Sequence, residues 1–319
     1  MPPTTPNPAG DGPTNGPTPF ISIIGPSRLR FISNSYVPTL RHNEQPLRKG
    51  NDGKVPIPKL FLDAMSVREA VYVDEQGVPL EHEFDSEDPR SVHWVIYASV
   101  QKPVADAVTD PDTGAILVPR RSETTTVPIG TIRLVPFPHG PPPRAGGDYV
   151  SDELVNAGAD IRAISPYGGG DSVVTDFTPE EKERLRKPYS YPPQYDDASE
   201  LHDGQEPYLK LGRLAVLKEF RGRGIGSQLI RTAIKWIAEQ PDLFDPIPSD
   251  VGFAKVQKQR GGVGLMPRWN GLFCCHAQEA AVPLWQRHGF HVDKSRGRWM
   301  EEGIPHVAMF LRVGVEKAG

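Results

Sequence analysis

The sequence predicts an α+β fold built on a mixed, mostly antiparallel sheet, and two observations carry that expectation. Strand-like apolar runs and amphipathic helices follow one another irregularly rather than as a strict βαβ repeat, and their connections suit antiparallel neighbours. The apolar runs also lie between about residues 20 and 315 and are separated by long stretches rich in Pro and Gly. The 31 glycines and 35 prolines amount to about a fifth of the 319 residues, against an ordinary share of roughly 12%. A folded core therefore shares the chain with long irregular segments.

The elements follow in order. Residues 1–19 hold mainly Pro, Thr, Gly and Asn, and past Met1 they contain no large apolar side chain. Such a segment buries too little to offset its chain entropy and is expected to be disordered. The domain is expected over residues 20–315. Its first strand is either Phe20–Ile24 or Arg28–Ile32. Residues Pro58–Val73 read as a helix, with Leu60, Phe61, Ala64, Val67, Val71 and Tyr72 at helical spacing. Val92–Val100 and Val127–Val135 read as strands. From about 138 to 206 the composition of Pro, Gly, Asp and Tyr predicts an insertion outside the sheet, with one helix opening at Thr178-Pro179. Tyr208–Leu217 is a strand. Ile225–Gln240 is the clearest helix, with Ile225, Leu229, Ile230, Ala233, Ile234 and Ile237 on one face and Pro241 as its stop. A second insertion is expected at about 241–270. Leu272–Cys275 is a strand, Ala277–Arg287 a helix, Gly289-Phe290 the restart of a strand, and His306–Val313 the closing strand.

Several function classes fall away. No apolar run approaches the ~18 residues of a membrane span. The first residues lack the basic and apolar regions of a secretory signal, so an intracellular protein, cytoplasmic or nuclear, is expected. Two adjacent cysteines, Cys274 and Cys275, do not make a disulfide scaffold or a thiolate zinc site. On a strand their thiols would face opposite sides. His288 and His291 lack a carboxylate or thiol partner, so no metal is expected. His93 reads as a packed residue. A net charge of −4 argues against nucleic acid as a general partner.

The densest chemical signal is the run from Leu214 to Gly226, LAVLKEFRGRGIG. A strand enters a glycine-rich turn that opens an amphipathic helix. Glycines admit positive φ and close backbone approach, and the N–H groups of such a turn with a helix N-terminus favour a phosphate. Arg221 and Arg223 add positive charge. The P-loop pattern is absent, and the glycines at 222, 224 and 226 are not spaced as in the dinucleotide fingerprint.

Arg221-x-x-Gly224-x-Gly226 resembles the acyl-CoA pyrophosphate loop of the GNAT N-acetyltransferase superfamily. Other stretches resemble its ElaA/YjcF-like branch. They are Val67-Arg68 through Glu75-Gln76, Glu83-x-Asp85-x-x-Asp88, Gly130-Thr131-x-Arg133-Leu134, Ala277-Gln278, Gly289-Phe290, and Gly303 to Met309. The resemblance covers about 60–312 apart from the insertions. It implies a sheet of six to seven strands with about four helices, and a slot where the fourth strand splays from the fifth. It also implies acetyl-CoA as co-substrate, held by Leu214, Ala215, Val216, Arg221, Gly222, Arg223, Gly224, Ile225, Gly226 and Ser227. The activity implied is direct acetyl transfer to a primary amine of a small cationic molecule or of lysine. A non-catalytic acyl-CoA-binding module is the alternative.

The chain departs from the family at Trp285, which stands where a Tyr usually serves as acid for the leaving thiolate. An indole donates a hydrogen bond but does not transfer a proton at neutral pH. Three readings stay open: the thiolate leaves unaided, His276 or Cys275 serves, or acyl-CoA is bound without turnover. Glu83 and Asp85, in the acidic run 81–88, are candidates for receiving a cationic amine, with Glu75 as another base and His306 at the start of the last strand as a further candidate.

Overall fold

The computed structural model describes residues 20–29, 31–46, 56–105, 108–114, 116–137, 139–157, 198–204, 206–243 and 268–316. The tail at 1–19, the helix expected from Thr178 and most of the 241–270 segment lie outside the described residues.

The described elements run β1 (Phe20–Ile24), α1 (Pro26–Leu29), α2 (Lys59–Arg68), β2 (Val92–Ala105), β3 (Val108–Thr109), β4 (Ile116–Val118), β5 (Arg121–Val135), β6 (Gly147–Val150), β7 (Glu153–Ala157), β8 (Leu209–Val216), α3 (Ile225–Ala238), β9 (Leu272–Gln278), α4 (Val282–Gln286), β10 (His291–Val292), β11 (Arg298–Glu301) and β12 (Ile304–Arg312). β1 settles the first strand at Phe20–Ile24, because Arg28 falls in α1 and Ile32–Asn34 is a 3-10 turn. The helix expected over 58–73 is α2 continued by a π-helical turn, Glu69–Glu75.

One ten-stranded sheet has the order β1-β2-β5-β8-β9-β12-β11-β6-β7, with β10 also on β12. Its pairs are antiparallel except β8–β9 and β11–β6. The class is therefore the expected one, and the strand count is higher. Part of the excess comes from the 138–206 segment, expected outside the sheet: residues 147–157 form the hairpin β6–β7, and Met300 and Glu301 of β11 pair with Asp148 and Tyr149 of β6. Strand-forming Tyr149, Val150, Leu154 and Val155 outweigh the Pro and Gly around them. β11 was not foreseen either. Only Trp299 and Met300 are large and apolar in it.

Parallel β8 and β9 need a crossover, which α3 supplies. Its Leu229, Ile230, Ala233 and Ile237 are buried on Ile132, Leu134, Leu211, Phe273 and Cys275 of the sheet. α4 covers the same face through Trp285, which meets Phe290 edge-on at 5.0 Å. The other face has two covers. α2 buries Ala64 on Val95 and Tyr97, while Tyr208, Leu272, Cys274, Trp299, Ala308 and Phe310 form a separate apolar cluster. Cys275 and Cys274 thus fall on opposite faces. The helix expected at Ala277–Arg287 starts late, because Ala277 and Gln278 finish β9 and pair with Val307 and His306. β2 and β5 outrun the sheet as a hairpin arm whose described side chains from Thr109 to Thr126 are nearly all exposed.

Between α2 and the sheet lies a buried ionic network. Arg68 is fully buried, with Nε 2.5 Å from Glu83 and Nη1 2.7 Å from Asp88. Arg133 of β5 meets Asp85 at 2.6 Å and Asp88 at 2.7 Å, and Arg213 of β8 meets Asp85 at 2.9 Å. Burial alone would raise the carboxyls of Asp85 and Asp88, but the arginines hold both below the ordinary carboxylate range. Removing one partner strands the others in a dry site. Arg68→Met should therefore cost about 3–5 kcal/mol, read as a lower urea midpoint. Because the folded-state values are depressed, the stability these carboxylates give is complete above the unfolded value of about 4 and is lost as pH falls below it. Urea midpoints should stay level from about pH 7 to 5 and drop below about 4.

Candidate active site

Strand β8 carries a bulge. Thr131 pairs with Ala215 and Arg133 with Gly212, so Arg213 and Leu214 together oppose one residue of β5. Arg213 sits at φ +48°, a left-handed conformation that a side chain adopts at a cost of about 1–3 kcal/mol. The extra residue bends β8. Its parallel ladder with β9 ends at Leu211 and Cys275, and beyond that point the two strands fork. The Ala215 carbonyl faces Gly130 of β5. By the alternation of a strand, the polar groups of Leu214 and Val216 face the fork. Both carbonyls have a protein partner: Tyr72 Oη donates to the Leu214 oxygen at 3.0 Å and Arg221 Nε to the Val216 oxygen at 2.9 Å.

The glycine turn follows at once. Gly222 and Gly224 stand at φ +75° and +76°, and a Cβ on either would meet nothing within 4 Å. The turn needs the backbone freedom of glycine and leaves open space above it. Gly224 is the residue before α3, and the Gln228 N–H closes the first helical bond to its carbonyl. The N–H groups of Ile225, Gly226 and Ser227 therefore stand at a helix start without intrahelical acceptors. Gly226 has another reason to be glycine, since a Cβ there would come within 3.3 Å of Leu284. The guanidinium of Arg221 is held in a fork by both oxygens of Glu75, at 2.9 and 2.8 Å. It ties the turn to the end of the π-helical segment, and this contact occupies Glu75, an expected base. Arg223 lies over the Phe220 ring at 5.7 Å. Ser227 Oγ is 3.0 Å from His288 Nε2.

At the fork itself, on the face away from α3, four strands bring titratable groups together. Leu209, Leu211, Phe273 and Cys275 point into the core beneath α3, so Lys210 and His276 point the other way. His276 Nδ1 lies 3.6 Å from Glu301 Oε1, and His306 Nε2 lies 3.7 Å from Glu301 Oε2. Trp299 Nε1 donates to Glu301 at 2.7 Å and His306 Nδ1 to the Ile304 carbonyl at 2.8 Å. Burial, with Lys210 beside it, pushes His276 down to about 4 and keeps the ring neutral.

The expected site residues thus separate. Glu83 is 2% exposed and pairs with Arg68, and Asp85 is taken up by Arg133 and Arg213. Neither is presented to a substrate, which corrects the expectation that they receive an amine. They hold the bulge instead. Trp285, 3% exposed, is a core side chain on the far face. His306 stands beside Glu301 and contacts the Ile304 carbonyl. Sequence reasoning missed Glu301, Arg213 and Tyr72 as site-forming residues. Glu301 sits on a strand that periodicity did not reveal, and a bulge leaves no mark on an apolar pattern. His93 is packed: fully buried, it meets Phe61 edge-on and contacts the Asp88 carbonyl.

A core role for Trp285 has a measurable outcome. Trp285→Ala should lose about 3–5 kcal/mol in urea unfolding. Trp285→Phe should lose less and, at temperatures where it is folded, keep turnover within a few-fold of the parent.

Residues 195–292 match the family model described as Acetyltransferase (GNAT) domain. Comparison with curated proteins gives no match. Among solved structures, the chain is similar to an acyl-CoA N-acyltransferase from Pseudomonas aeruginosa, at 12% identity over 93% of this chain and 100% of that one, with a TM-score of 0.37. It is also similar to ElaA of Escherichia coli, at 14% identity over 85% and 95% of the two chains, with a TM-score of 0.35. The family match takes in β8, the glycine turn, α3, β9 and α4, the elements that build the fork.

Proposed function

We propose that the chain transfers the acetyl group of acetyl-CoA directly to the nitrogen of a primary amine, carried by a small cationic molecule or a lysine side chain. The observation that carries this reading is the fork of β8 and β9 ending in an open glycine turn at a helix start. The residues fit acetyl-CoA. The N–H groups of residues 222–227 suit its pyrophosphate, and the N–H side of the backbone at Leu214 and Val216, whose carbonyls Tyr72 and Arg221 engage, suits pairing with its pantetheine arm. When bound, acetyl-CoA supplies an acetyl group already activated as a thioester. The chain's own contribution is to hold the backbone of β8 in one shape through Arg213, Asp85 and Tyr72, so that its polar groups need not reorganise.

The acceptor side supports a cation. Asp148 pairs with Met300 beside Glu301, and Glu302 takes the Ser151 N–H at 2.7 Å and His82 at 3.0 Å. Burial first, and the nearby Glu302 second, raise Asp148. These carboxylates take the part first expected of the 81–88 run.

Two measurements test this reading. Gly224→Asp sets a side chain at positive φ and a negative charge in the turn, so acetyl-CoA affinity by calorimetry should fall well over tenfold in a folded variant. Thiol release from acetyl-CoA should be accelerated by cationic primary amines and not by their quaternary analogues. Tight acetyl-CoA binding without release on any amine would replace transfer with the non-catalytic binding module.

A further inference from the structure

We propose that His276, oriented by Glu301, carries the proton of the transfer, taking it from the amine and delivering it to the departing thiolate. The proposal rests on the amine-transfer reading and names the group that does its proton chemistry. His276 is the first residue of β9 past the last β8–β9 pair, so its side chain stands where the fork opens, on the face opposite the α3 core. Nδ1 is turned to Glu301, which leaves Nε2 as the lone pair. The carboxylate is fixed in turn by the Trp299 indole, whose ring also meets the His276 imidazole edge-on at 5.0 Å. This is a base held by an orienting carboxylate. The 3.6 Å separation is of the kind that tightens once substrate is bound.

The groups that face His276 are Lys210 from β8, Glu301 from β11, His306 from β12 and, from the segment after β5, His139, while Arg296 lines the same cavity. With burial, Lys210 and His306 disfavour the charged ring, and Glu301 favours it. The balance leaves a neutral imidazole at pH 7 whose protonated form is a strong acid toward a thiolate. The acceptor nitrogen reacts as the free amine, its ammonium proton having gone to water; a bond forms between that nitrogen and the acetyl carbon, and the carbon–sulfur bond breaks. The proton leaving nitrogen passes to Nε2 and from there to sulfur, so His276 ends as it began. No acid from α4 is needed, which agrees with the burial of Trp285.

The test pairs a spectroscopic with a kinetic readout. Histidine nitrogen NMR of the full chain should show His276 neutral with its proton on Nδ1 from about pH 5.5 to 8, and Glu301→Gln should shift that tautomer balance. A His276 with its proton on Nε2, or charged at pH 7, would overturn the proposal without any turnover being measured. With the best amine from the panel, His276→Gln should lower kcat by about 10²-fold or more while acetyl-CoA affinity and thermal midpoint stay near the parent. Glu301→Gln should lower kcat by about tenfold, and the double variant should match His276→Gln because the two act as a unit. His276→Asn serves as a second substitution if His276→Gln does not fold. Parent-like kcat in a folded His276 variant refutes the shuttle and leaves amine transfer standing. Absence of thiol release from the parent on every amine refutes both.

Discussion

Three arginines and three carboxylates, enclosed between a helix and the sheet, set the shape on which everything else rests. Arg68 belongs to α2, Arg133 to β5 and Arg213 to β8, and Glu83, Asp85 and Asp88 join them from one loop. Ion groups taken out of water gain little net stability, since desolvation offsets most of the attraction. Arg133 Nε and Arg213 Nε are moreover left buried without a hydrogen bond. What the network supplies is geometry. It fixes an arginine at positive φ in mid-strand, and that residue diverts β8 from β9. An apolar core of equal volume would be as stable and would leave the strand free to straighten.

The two faces of the sheet are divided by task. On the α3 and α4 side nearly every inward side chain is aliphatic or aromatic, and this side fixes where the glycine turn and helix start lie. The other face holds the ionic network, the His276–Glu301–His306 group and the carboxylates near β6. A strand at a fork presents alternate residues to these two environments. Cys275 therefore packs as a small apolar residue while its neighbour His276 meets charge, and one position in sequence separates core from chemistry.

Much of this was legible beforehand. The spacing of Ile225, Leu229, Ile230, Ala233 and Ile237 gave the crossover helix, and LGRLAVL next to RGRGIG gave the strand and turn. In sequence the acidic run 81–88 reads as a candidate to receive a cationic amine, whereas it is largely consumed by arginines 15 to 128 residues away. Sequence spacing is silent about charge pairs of that separation. The hairpin 147–157 was hidden by its setting of Pro and Gly, and its pairing depends on β11, itself too short and too polar to stand out. Trp285 was placed at a reactive position by resemblance, while its burial depended on Phe290 and on the way α4 lies over the sheet.

The hairpin arm formed by the outer halves of β2 and β5 has a consequence for how the chain tolerates change in length. Where a strand has one wet and one dry face, losing a single residue turns every later side chain to the wrong side. Past Val127 and Ala98 the described arm has no dry face, so its register is inherited from the buried half instead of being enforced locally. A residue gained or lost between Thr109 and Thr126 re-pairs polar and exposed positions with one another and moves no core side chain. The arm is thus where this fold absorbs insertions and deletions without disturbing the fork.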